Sequence, residues 1–120
     1  MQVPKPTADD IERFRSVVPD APGVEIRPMF GNLGGFVNGN MFIGLLGADI
    51  GLKLAPKDAE RLRAIDGGGP FGPPNRPMGG WVTMPPSLVG TPDAADWVDL
   101  ARTFIAALPP KPSKRPSKRP

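Results

Sequence analysis

Phe36-Val37-Asn38-Gly39-Asn40-Met41-Phe42 sets the architecture of this 120-residue chain. An Asn-Gly pair between two apolar runs is the strongest short-range hairpin signal, because both central residues of a type I′ turn need positive φ and these two tolerate it best. Residues 41–46 form the returning strand, and Gly47-Ala48-Asp49 makes a second turn. Ile50, Leu52 and Leu54 then alternate with Gly51 and Lys53, the period-two pattern of a half-buried strand. On the N-terminal side, residues 24–30 read as a further strand, with Val24, Ile26 and Pro28 on one face and Glu25, Arg27 and Met29 on the other. Gly31 and the Gly34-Gly35 pair break or bulge the chain. Together these pieces make a meander of three or four antiparallel strands.

Helices flank the meander. Thr7 reads as an N-cap, with Asp10 three residues on as its capping-box partner, and Ile11, Phe14 and Val18 share one helical face. Pro19, Pro22 and Gly23 end this helix. Pro56 opens a second helix with Ala59, Leu62 and Ile65 as its apolar stripe and Gly67 as its C′ residue. A 14-residue loop, 67–80, follows with ten Gly or Pro residues, a length and composition that mark either mobility or function. A short strand around Trp81-Val82-Thr83-Met84 stops at Pro85-Pro86. Thr91-Pro92-Asp93 starts a last helix whose apolar face comprises Trp97, Leu100, Ala101, Phe104, Ile105 and Leu108. The expected fold is therefore α+β, in the order α-βββ(β)-α-β-α, with the helices packed on an antiparallel sheet. Residues 1–6 are expected to be a flexible lead, 7–108 the folded domain, and 109–120 a disordered, basic, Pro-rich tail.

Composition narrows the chemistry. The chain has no Cys, no His and no Tyr. That removes Cys nucleophiles, Ser–His pairs, Cys/His zinc sites and imidazole acid–base catalysis. Carboxylates, lysines and the serines Ser16, Ser87, Ser113 and Ser117 remain, so neither an enzyme nor a cofactor is expected. The net charge of +3 belongs to the tail. Lys111, Lys114, Arg115, Lys118 and Arg119 carry five positive charges with no acid among them, leaving ten basic against twelve acidic residues in the body. There is no signal-peptide-like start and no apolar run of membrane-spanning length, which reads as a cytoplasmic protein.

Four features invite a functional reading. Gly67-Gly68-Gly69-Pro70-Phe71-Gly72 satisfies G-x-G-x-x-G to the letter, but it follows a helix, and Pro70, Pro73 and Pro74 forbid a helix after it, so the phosphate-binding geometry is missing. Asp93, Asp96 and Asp99 recur every three residues and read as the wet face opposite Trp97 and Phe104. Trp81 and Trp97 read as core residues by their periodicity. Arg27-Pro28-Met29-Phe30-Gly31 packs a charge and large apolar side chains into a strand end beside glycine, either as a sheet-edge anchor or as an interaction surface. The tail has the charge to release counterions from phosphates but no aromatic residue for base stacking, so it implies weak, non-specific nucleic-acid attachment or simple solvation.

Several of these stretches together resemble the TfoX N-terminal domain family, named after the TfoX/Sxy competence regulators. They are Arg27-Pro28-Met29-Phe30-Gly31, Gly35-Phe36-Val37-Asn38-Gly39-Asn40-Met41-Phe42, Gly51-Leu52-Lys53-Leu54, Pro70-Phe71, Met78, Trp81-Val82 with Pro85, and the Trp97 helix. The resemblance covers roughly residues 7–108 and implies a secretion-chaperone-like α+β fold. It implies a stand-alone N-terminal domain without the second, helical domain of two-domain members, and no catalytic residues. The resulting expectation is a non-enzymatic regulatory or interaction module. Arg27, Met29 and Phe30 would contact a protein partner or a second copy, and the tail would supply the nucleic-acid attachment. A small-molecule domain using the 67–80 loop as a lid over the sheet is the alternative.

Overall fold

The computed structural model describes residues 5–29, 31–72 and 79–109. Phe30, Met78 and the five cations of the tail lie outside the described residues, as does most of the expected flexible lead.

Helix α1 spans Ala8–Val17. The capping box forms in full: the Thr7 hydroxyl accepts from the Asp10 backbone N–H at 3.1 Å, and the Thr7 N–H donates to Asp10 Oδ2 at 2.9 Å. Two of the orphan donors at the helix start are thereby satisfied. Four strands follow as a meander: β1 (Val24–Met29), β2 (Asn32–Val37), β3 (Asn40–Leu46) and β4 (Asp49–Lys53). Asn38 and Gly39 both take positive φ, 52° and 84°, so the hairpin between β2 and β3 turns as a type I′ loop requires. Helix α2 spans Pro56–Arg63, with Pro56 in its first turn.

Two short strands, β5 (Gly69–Pro70) and β6 (Trp81–Thr83), complete a six-stranded antiparallel sheet in the order β1-β2-β3-β4-β6-β5. After a 3-10 turn at Pro86–Leu88, helix α3 spans Pro92–Ala106, with the Thr91 hydroxyl accepting from the Ala94 N–H. The fold is α+β, as the pattern of elements implies.

All three helices share one core with the sheet. Phe14 from α1, Ala59 and Leu62 from α2, and Trp97, Val98, Ala101 and Ile105 from α3 meet Phe42, Ile43, Leu45, Ile50, Leu52 and Val82 from the strands. Helix α3 lies over β2, β3 and β4, α2 lies over β5 and β6, and α1 packs beside α3. Arg61 on α2 sits over the Trp97 ring, 4.9 Å from its centroid.

The Gly34-Gly35 pair marks a bulge and not a break: β2 runs through it, with the register shifting between Gly35 and Phe36. Four local expectations are corrected. The 67–80 segment is not loop throughout, because Gly69 and Pro70 pair with Thr83 and Val82. Gly67 is not the C′ residue of α2, which ends in a right-handed Ala64; Gly67 instead takes a positive φ further on, where the Gly68 N–H donates to the Ile65 carbonyl. Leu100 and Leu108 leave the apolar face of α3, at 37% and 42% exposure, since the core-facing arc of the helix centres on Ala94, Ala101 and Ile105. Finally, β4 is buried on both faces at its middle, because Gly51 is buried as well as Leu52.

Candidate functional site

The sheet has a helix-covered face and an open face. Residues directly opposite one another in neighbouring strands point to the same side. The registers therefore define one continuous row across the sheet on the open side: Arg27, Gly34, Gly44, Gly51, Thr83 and Gly69. Four of its six members have no side chain. The space they leave is filled from the sides. A Cβ on Gly34 would lie 2.8 Å from the Met41 sulfur and 3.2 Å from Met29 Cγ. One on Gly44 would touch Met41 and Phe71 at 3.4 Å each, and one on Gly51 would clash with the Phe71 ring, most severely at its Cγ.

Phe71 reaches this position from the Gly/Pro loop. It is buried and stacks on Trp81, with ring centroids 5.6 Å apart at 28°. Trp81 is opposite Lys53 in the register and so lies on the open face, while Trp97 lies beneath α2. Both tryptophans are buried, but in two separate layers.

The structure brings Arg27 and Met29 together on the open face. Arg27 covers the Phe36 ring, 4.8 Å from its centroid, and its Nε donates to Glu25 at 3.0 Å. The ion pair is exposed and contributes little; the stacking is what fixes the guanidinium. Met29, Phe36 and Met41 are half-buried and contiguous around Gly34. Pro28 shares the opposite face of β1 with Val24 and Ile26, as alternation implies, and is exposed there. Phe36 and Met41 are the site members that sequence patterning missed. Phe36 shares the side of Gly34 by alternation along β2, whereas Met41, three residues before Gly44, is turned to this side by the register shift between β2 and β3.

The edge at β1 is blunted. The Asn38 N–H donates to the Gly23 carbonyl at 3.2 Å, so the antiparallel alternation aims the backbone groups of Glu25, Arg27 and Met29 at β2 and those of Val24, Ile26 and Pro28 at the free edge. Val24 spends its N–H on Ala21, at 3.1 Å, and proline has none. Within β1, Ile26 is left as the donor available to an added strand. The opposite edge, β5, has two residues, one of them Pro70. Short edge strands and edge prolines are how sheets resist strand addition.

Asn40 Nδ2 donates to the Pro109 carbonyl at 3.1 Å, which ties the end of α3 to the hairpin tip between β2 and β3. Among the described residues, no group of three acidic side chains is close enough to hold a metal ion, and Asp99 is engaged by Arg102. No described helix is long and apolar enough to cross a membrane. The Asp10 carboxyl is held below its ordinary range, chiefly by the Thr7 backbone N–H.

The hairpin, the glycine row with Phe71 and Trp81 over it, and all but the last residue of the final Trp97 helix fall within residues 16–105, the stretch matched by the family model for the TfoX N-terminal domain. The chain belongs to the TfoX N-terminal domain family. No curated protein and no solved structure shows significant similarity to it. In this TfoX N-terminal domain the helices occupy one sheet face and leave the other to a thin apolar layer.

Proposed function

We propose that this TfoX N-terminal domain is a non-enzymatic interaction module that works through the open face of its sheet. Family membership supports a regulatory or interaction role. The observation that carries the finer reading is the contiguous, half-buried group Met29, Phe36 and Met41 beneath the Arg27 guanidinium, on the one sheet face that no helix covers. Met adapts to varied partners, and Arg and aromatic residues are enriched at interface centres.

The first occupant of this face is a second copy of the chain, packed face to face. The blunted edges favour that mode over strand addition. Sedimentation of the full chain tests it. A dimer that dissociates in Met29→Asp, with an unchanged circular dichroism spectrum, supports the face. A wild-type monomer across the accessible concentration range removes self-association.

The tail cations Lys111, Lys114, Arg115, Lys118 and Arg119 would attach the module weakly to nucleic acid. Anisotropy with a random DNA duplex should show binding whose log K falls with log salt at a slope of up to about −4.5 for five neutralised phosphates. Replacing the five cations by glutamine in the full chain should abolish it. Equal binding by the replaced chain would move the nucleic-acid role off the tail.

A further inference from the structure

On the helical side of the molecule, away from the open sheet face, the last turn of α1 and the first turns of α3 do not close on each other. An open groove of about 450 Å³ lies between them, within the size range of small-molecule pockets, roughly 300–1,000 Å³. Its lining is mainly apolar: Val17, Val18, Pro19, Ala94 and Val98. Arg102, one turn beyond Val98 on α3, brings a cation to it.

The guanidinium is only partly satisfied. Its Nη2 donates to Asp99 Oδ1 at 2.5 Å, while its Nε is cut off from solvent and has no hydrogen-bond acceptor. A buried N–H without an acceptor is rare, because it gives up its water without replacement. The side chain as a whole keeps 31% of its surface exposed and lines the groove, so a ligand reaches Nε by a turn of the guanidinium that is part of the binding step. An acceptor entering the groove would satisfy that donor.

Charge decides which acceptor. Asp99 also lines the groove and already compensates Arg102. A second carboxylate would bring like charge against Asp99, whereas a neutral carbonyl would not. The apolar lining then takes the rest of the ligand.

We infer that this groove binds a small uncharged amphipathic molecule, with an alkyl or ring body against Val17, Val18 and Val98 and a carbonyl oxygen accepting from Arg102 Nε. The ligand would sit where α1 meets α3, on the face opposite the proposed association surface. Its binding therefore stands or falls independently of that surface.

Octanamide is a suitable probe and octanoate its charged counterpart, each titrated into the full, isotope-labelled chain and followed by NMR. Octanamide should give saturable shifts in residues 16–21 and 90–102 and in the Arg102 Nε–H resonance. Arg102→Met should weaken binding about tenfold or more, the loss expected for one hydrogen bond to a charged group. Ala95→Leu, at a solvent-facing position of α3 that lines the groove, should block binding while leaving Arg102 in place. Absence of saturable shifts overturns the inference, as does equal binding by Arg102→Met. Tighter binding of octanoate than of octanamide overturns the uncharged class.

Discussion

On the helix-covered side, β3 and β4 present Ile43, Leu45, Ile50 and Leu52, all essentially fully buried under α3. On the open side the same two strands present Gly44 and Gly51, and a single ring, Phe71, supplies much of the cover. One face is built by large side chains meeting large side chains from packed helices. The other is built by removing side chains from the strands and letting one loop residue lie flat in the trough. The first arrangement distributes burial over many residues. The second concentrates it on Phe71 and Trp81, leaving Met29, Phe36 and Met41 half-buried beside them. A face assembled in that way can be covered again by a partner without disturbing the main core.

The contrast can be broken at its strongest point first. Leu52→Ala opens a cavity beneath α3 and should cost about 2–5 kcal/mol, read from the denaturant midpoint at constant m-value. A cost under about 1 kcal/mol would mean that the helical face is not the principal core. Gly51→Ala should come next. Its methyl cannot coexist with the Phe71 ring, so the ring is displaced and its burial, worth roughly 1.5–3 kcal/mol, is lost. In a Phe71→Ala background the same substitution should be nearly neutral. Additive costs in that double-mutant cycle would show that Phe71 does not rest on Gly51.

Met29→Asp sharpens the comparison from the other side. On the open face it should change stability by less than about 1 kcal/mol while abolishing association, as expected of a half-exposed position. Unfolding of this variant would place Met29 in the core instead.

The smallest effect is at the start of α1. Asp10 has a lowered folded pKa, so its contribution to stability is present above the ordinary carboxylate range and is lost as pH falls through the folded value. An acid titration of wild type against Asp10→Asn should diverge at neutral pH and converge at low pH. Parallel curves would exclude the capping box as the source.

Much of the local structure was legible in the chain. Asn38-Gly39 fixed the central hairpin, Thr7 with Asp10 fixed the start of α1, and Thr91-Pro92 fixed the start of α3. Each of these signals is complete within four residues, because turns and caps are satisfied by their own backbone neighbours. The candidate site was legible only in part. Arg27 and Met29 could be placed on one face of β1 by alternation, but nothing in their neighbourhood names Phe36, Met41 or Phe71 as their company.

What the sequence determined by itself, then, is the set of elements and their order: an α+β domain with a hairpin at its centre. The tertiary structure decided which glycines line up. Gly34, Gly44 and Gly51 are separated by turns of different length and a register shift at Gly35, so their alignment depends on every hydrogen-bonded pair between them. It likewise decided that Leu100 and Leu108 face outward and that Arg102 ends beside α1, because the side of a helix that is buried is set by what it packs against. Local backbone chemistry can be read from neighbours in the chain, whereas the composition of a surface depends on residues that only the finished sheet and its helices bring together.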